Sequence, residues 1–288
     1  MIGLELDDAR AVAVRVDGQG NIEARAEVDG AGGLAAAAKR ALEMVEMPAD
    51  ATLGVAAINP DTPAIAKVIA GLSHAIGGPT VMSGSAAAAA EEWVGAARGV
   101  PDVAYFAVGQ HATGGIVCGG VAIAGARGRA GSIGWLALNP VEREDYRKTG
   151  CLEAEVAAAG LVRRLIWRIK AGDRSRVQDV VKDDLAAITV DHLLDAARGG
   201  DGVSISVVRD TAKYLGMAAA NLVVVVDPEM LVLGGIMASA ADLLLEPLRT
   251  ELARRLPKPM MDALKIETAR LGADAAAIGA AHLAAARP

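Results

Sequence analysis

The chain has 288 residues, 53% of them hydrophobic and 22% charged, with a net charge of −6 and only 2% Phe, Trp and Tyr. This composition excludes a disordered chain, and the length suits one large domain or two lobes. The acidic balance argues against nucleic acid as a partner, and so few rings mean that a sugar or base site must rely on polar side chains and backbone.

Mean hydropathy is positive, and Val103 to Ala126 runs without an acidic or basic residue. Gly109, Gly114, Gly115, Gly119 and Gly120 within that run suit a strand, turn, strand unit better than a membrane-spanning helix. The N-terminus lacks a basic stretch followed by a long apolar one, so no secretory signal is expected and the expected location is cytoplasmic. Cys118 and Cys151 are too few for a disulfide framework and lack metal-knuckle spacing.

In chain order, Ile2 to Leu6, Arg10 to Val16 and Ile22 to Val28 read as a three-stranded meander. Leu34 to Met47 reads as an amphipathic helix, Thr52 to Ile58 as a buried strand and Pro63 to Ile76 as a helix. Thr80 to Met82 is a short strand, and the polar loop Ser83-Gly84-Ser85 leads into a helix from Ala86 to Ala97. A second block starts with strands Ala104 to Val108 and Gly115 to Ile123 around a glycine-rich turn, then a loop from Arg127 to Asn139. Helices follow at Glu153 to Ala171, Val177 to Asp184, Thr189 to Arg198 and Ser204 to Ala220. Leu222 to Val226 and Met230 to Leu233 read as strands, Ala240 to Leu256 as a helix, Leu264 to Ala269 as a strand and Asp274 to Ala286 as a closing helix.

This order predicts an α/β protein with a duplicated ribonuclease-H-like (actin-like ATPase) two-lobe fold and a central cleft. Residues 1–98 with 270–288 would form the first lobe and 99–269 the second. Ligands of such folds sit in the cleft.

Several segments resemble the ROK family of sugar kinases and related repressors. Asp227-Pro228-Glu229-Met230-Leu231-Val232-Leu233-Gly234-Gly235 is similar to the family's adenosine-side strand and loop, and Leu271 to Ala281 to its closing helix. Gly150-Cys151-Leu152-Glu153 resembles the end of its cysteine-rich segment, and Ala130-Gly131-Ser132-Ile133-Gly134 the stretch before its sugar-binding histidine. The resemblance implies ATP with Mg²⁺ as cofactor, a sugar-like small molecule as ligand and a homodimer. Gly114, Gly115, Gly234 and Gly235 would be the nucleotide-binding positions. A glycine pair after a buried strand lets the backbone approach a flat ligand, and it equally serves a strand-to-helix turn with no ligand.

The chain departs from the family pattern at each chemical motif. Where the family has Asp-x-Gly-Gly-Thr, this chain has Glu5-Leu6-Asp7-Asp8-Ala9. One like-charge contact between these carboxylates and a phosphate at 4 Å costs on the order of 4 kcal/mol at an effective dielectric of about 20. The hairpin is then either solvated and polar or a Glu5–Asp7 metal site. The family's Asn-Asp-x-Asn motif, whose Asp is the general base, aligns with Ser83-Gly84-Ser85-Ala86, so the base position is Gly84, with Glu92 at the helix glutamate. Ser132 and Trp135 replace the sugar-binding Glu and His. Trp135 reads either as a stacking surface for a sugar or as a core or interface residue. The zinc-binding cysteines are reduced to Cys151, with Glu144 and Tyr146 at other cysteine places, so zinc is expected to be absent. His111, in the second phosphate loop, reads as an anion contact, a pH-sensitive group or a hydrogen-bonded loop histidine.

The candidate ligand cleft therefore comprises Glu5, Asp7, Ser83, Ser85, His111, Ser132 and Trp135. These concordant losses predict a pseudokinase-like sugar sensor or regulatory protein. An active small-molecule kinase with a rearranged site and a structural homodimer are the alternatives. A repressor acting through its own N-terminal DNA-binding helices is not expected, because strand one begins at Ile2.

Overall fold

Apolar alternation in the first residues produces an antiparallel meander of β1 (Ile2–Leu6), β2 (Arg10–Val16) and β3 (Ile22–Asp29). The chain is described by a computed structural model over residues 1–48 and 51–286. Helices α1 (Leu34–Met44) and α2 (Pro63–Leu72) flank β4 (Leu53–Ala57), which pairs parallel with β1. β5 (Val81–Met82) completes a sheet of order β3-β2-β1-β4-β5. Strand β4 is buried at every position, as expected of a parallel strand covered on both faces.

Helix α3 (Ser83–Trp93) starts earlier than predicted, so Ser83-Gly84-Ser85 is its first turn rather than a loop. The second sheet then forms from β6 (Val103–Val108), β7 (Ala112–Cys118) and β8 (Val121–Ala122). The uncharged Val103–Ala126 run is therefore β-structure. Among the described residues, no helix is long and apolar enough to cross a membrane.

Helix α4 (Glu144–Thr149) precedes the helix predicted at Glu153 to Ala171, which is replaced by α5 (Cys151–Val156) and α6 (Ala158–Lys170) because Ala157 is extended (ψ 160°) and breaks it. Next come α7 (Arg176–Val180), α8 (Val190–Arg198) and α9 (Gly202–Val226). The strand predicted at Leu222 to Val226 is wrong. Those residues are the last turns of α9, since no breaker precedes Asp227, whose left-handed backbone (φ 50°) ends the helix. Leu222 and Val223 face the core while Val224 and Val225 face solvent, and this burial overrides the β propensity of a valine run.

β9 (Met230–Gly235) pairs parallel with β6, α10 (Ile236–Ser239), α11 (Ala241–Ala253) and α12 (Lys258–Ala263) follow, and β10 (Lys265–Thr268) gives the order β10-β9-β6-β7-β8. Finally α13 (Ala275–Ala285) returns to pack on α3, β1 and β4. Helix α3 also lies against β6 and β7. One element thus touches both sheets, and its first turn stands at the cleft between them.

Candidate functional site

The cleft has a volume of about 680 Å³ and is lined from both lobes, with Asp8, Asn59 and Asp61 on one side and His111, Trp135 and Glu153 on the other. The hairpin between β6 and β7 is closed by Gly109 N donating to His111 O at 2.8 Å. This turn aims the His111 imidazole across the cleft. Its Nδ1 lies 3.2 Å from Glu153 Oε1, and its Nε2 lies 3.7 Å from Asp7 Oδ1 and 3.9 Å from Asp8 Oδ2. Glu153 Oε2 also accepts from Ala112 N at 3.0 Å, so this α5 carboxylate both orients the ring and anchors the hairpin.

The facing Asp7 carboxylate, then the hydrogen-bonded Glu153, raises the His111 pKa to about 10, so the ring is an imidazolium at neutral pH. The same contact with His111 is the main reason the Asp7 carboxyl is held below its ordinary range. His111 therefore links the β6–β7 turn to the β1–β2 turn. Glu5 lies deeper, and burial pushes it up to about 7, a rise that the adjacent Ser83 hydroxyl partly offsets. Ser83 is buried, and its Oγ has no partner at hydrogen-bond geometry.

The other predicted positions are distributed less evenly. Ser85 Oγ donates to Ala130 O at 3.1 Å and Ser132 Oγ to Arg129 O at 2.7 Å, so both hydroxyls brace the loop beside the cleft. Trp135 is 56% exposed and lines the cleft, so it is not a core residue. Gly84 packs tightly. A Cβ there would stand 2.1 Å from Gly114 O, against β7, so position 84 cannot carry a side chain into the cleft. Gly115 shows the reciprocal contact, with a Cβ 2.1 Å from Gly84 O. Gly84 and Gly115 thus let α3 approach β7 closely, while a Cβ at Gly114 would stand 2.7 Å from the Ile133 side chain. Gly234 faces Tyr105, whereas Gly235 takes φ 63° and is exposed at the carboxyl end of β9.

Glu91, next to the predicted Glu92, is the buried, anchoring glutamate of α3. It is 0% exposed, and its Oε1 accepts from Arg270 N and Leu271 N, both at 2.9 Å, tying α3 to the segment entering α13. Glu92 is half-buried and makes no such contact.

A family model described as "ROK family" matches residues 57–287. The chain belongs to the ROK family. It is 34% identical over 68% of its length to a glucokinase of Halalkalibacterium halodurans, covering 60% of that protein. It is 35% identical over 80% of its length to the bifunctional enzyme NanE/NanK of Brucella suis, covering 38% of it. The chain thus spans less than two thirds of these relatives. A crystal structure of a Streptomyces griseus ROK family glucokinase, in complex with glucose and AMPPNP, superposes with a TM-score of 0.82 at 24% identity, covering 98% of both chains, and bears on the fold.

The segment that resembles the ROK cysteine cluster is held by packing and polar contacts. Tyr146 is buried with Cys151 and Ala154, and its hydroxyl donates to buried Glu155, which Arg143 also contacts at 3.2 Å. Tyr146→Phe leaves Glu155 short of a donor and is expected to cost about 1–3 kcal/mol in urea unfolding. A chelator is expected to leave the melting temperature unchanged, because one buried thiol and a tyrosine cannot form a tetrahedral zinc site.

Glu153 escaped the sequence reading as a cleft residue, although it closes the quoted Gly150-Cys151-Leu152-Glu153 segment. Asn59 and Asp61 reach the cleft from the loop between β4 and α2. Asp61 pairs with Arg129 at 2.7 Å across the cleft mouth.

Proposed function

We propose that this ROK protein binds a hexose or N-acetylhexosamine in the interlobe cleft and has lost efficient phosphoryl transfer from ATP. The carrying observation is the His111–Asp7–Asp8–Glu153 cluster. A polyphosphate approaching the first hairpin meets two carboxylates, and the cations beside them, His111 and Arg10, already serve them, Arg10 Nε lying 3.9 Å from Asp7 Oδ2. This donor set does not fit ATP phosphates, which need backbone amides or unpaired cations. The sugar side keeps usable chemistry, with Glu153 and Asn59 as polar groups and exposed Trp135 as a flat platform for pyranose C–H faces.

The family base position moves with the helix glutamate. With Glu91 as that residue, the same spacing places Ser83 where the family carries aspartate, and a serine facing Glu5 has no basic group of its own. A sugar kinase is the second reading. The similarity to a glucokinase and to NanE/NanK supports it, as does Gly235, exposed at the carboxyl end of β9 where an adenine would approach.

Titration calorimetry with glucose, mannose and N-acetylhexosamines, beside a coupled ADP-release assay with ATP and Mg²⁺, tests the proposal. The expected result is saturable binding of at least one sugar without steady-state ADP release. Trp135→Ala is expected to weaken that binding by about tenfold, or ~1.4 kcal/mol. Sugar-dependent ADP release at a kinase-like rate overturns the loss of transfer, and absence of any sugar binding overturns the sugar reading.

A further inference from the structure

The helical side of the second lobe holds another cavity of about 780 Å³, between α6 and α9, for which the cleft chemistry gives no role. Five Arg or Lys side chains line it against two acids, Glu155 and Asp210, in a chain whose net charge is −6. Helical spacing creates this concentration. Arg163 and Arg164 share the α6 face that carries Trp167, and Lys213 shares the α9 face that carries Tyr214 and Met217.

Arg164 is the cation at the floor. Its guanidinium lies over the Tyr214 ring, 6.0 Å from the centroid, and donates to Thr211 Oγ1 through Nη2. Its Nη1 is 3.6 Å from Glu155 Oε2, beyond hydrogen-bond reach, and neither Nε nor Nη1 has a partner. Burial lowers its pKa, the signature of a cation short of compensating charge. At the mouth, Trp167 is 67% exposed. Arg143 and Lys213 are also exposed there, each with a single acidic partner.

An apolar ring in water beside clustered cations forms a surface complementary to a flat anion. We propose that this cavity binds a small organic anion with a planar apolar body, of the aryl phosphate or aryl carboxylate class. The ring of the ligand lies on Trp167 and Tyr214, and its charge faces Arg143 and Lys213, over the field of Arg164.

Calorimetric titration of the full chain with phenyl phosphate tests this site, with inorganic phosphate and phenol as its two halves. Phenyl phosphate is expected to bind saturably, and each half at least about tenfold more weakly, since ring and charge both contribute. Lys213→Glu and Trp167→Ala, both at exposed positions, are each expected to weaken it by about tenfold, while Trp135→Ala in the interlobe cleft leaves it unchanged. Circular dichroism melts confirm that the variants fold. No saturable binding, or equal binding by inorganic phosphate, overturns the proposal. So does a dimer in light scattering that Trp167→Ala dissociates, because a second copy would then be the occupant of the groove.

Discussion

Gly84→Ala is expected to destabilise the protein by about 3 kcal/mol or more, and Gly84→Asp by at least as much, whereas Ser83→Ala stays within about 1 kcal/mol of the parent. The two positions are neighbours on the first turn of α3, yet their environments are opposite. A Cβ at position 84 would lie 2.1 Å from Gly114 O and 2.5 Å from Gly114 C. Both are backbone atoms of a paired strand, so relief requires moving α3 off β7 rather than turning a side chain. Ser83 loses only a buried hydroxyl that has no hydrogen-bond partner. Urea unfolding of the three variants measures the contrast, and a Gly84→Ala protein as stable as the parent would sink it. For function, a carboxylate base cannot be tested at position 84, where a gain-of-activity variant would fail through folding. Ser83→Asp is the informative variant, because that side chain faces Glu5.

The second large effect concerns His111. Its folded-state pKa of about 10 lies above the ordinary value of 6.5. A raised pKa stabilises the fold fully below pH 6.5, and this contribution disappears as pH rises through about 10. Because the imidazole is only one quarter exposed (25%), roughly 3 kcal/mol of stability is expected to disappear across that window. Asp7 acts in the opposite direction. Its lowered pKa contributes stability above its unfolded value of 3.8 that is lost as pH falls further. The pair therefore gives a plateau between the carboxylate and imidazole ranges, with a decline on each side. Urea unfolding at several pH values should show the alkaline decline in the parent and its disappearance in His111→Asn. That variant also loses about 2 kcal/mol at neutral pH, because Asp7, Asp8 and Glu153 are left facing one another. A parent whose stability is flat from pH 6.5 to 10 would show that the cluster does not hold the lobes together.

Both predictions concern the same region of the molecule. Close packing of α3 on β7 fixes the back of the cleft, and the His111 cluster fixes its front. A ligand in this cleft meets a wall that cannot accept a side chain at 84 and a phosphate side filled by an internal ion pair. On the proposed reading, these two features make the loss of phosphoryl transfer a property of several elements together rather than of one missing base.

Much of this was legible in the residues. The alternation in residues 2–28 and the apolar runs at β4, β6 and β9 specified strands, because burial on one or both faces leaves a direct periodic trace. The ROK motifs, in order along the chain, carried the fold. The sequence also revealed that Glu5, Asp7 and Asp8 put negative charge at the first hairpin and that Gly84 has no functional group.

Tertiary structure decided the rest. Valines 223–226 became helix because continuation of α9 onto the core outweighs a local β preference. Glu91 rather than Glu92 became the anchoring glutamate, a one-residue register that depends on which side of α3 faces the strand entering α13. Gly84 changed from a missing base to a packing glycine, because the direction of a Cβ is set by the neighbouring strand. Glu153, distant in sequence from both His111 and Asp7, joined them only through the placement of α5. The acidic, aromatic-poor composition was fixed from the start, but the pairing of its charges across the cleft depends on contacts between segments far apart in the chain, which local pattern does not encode.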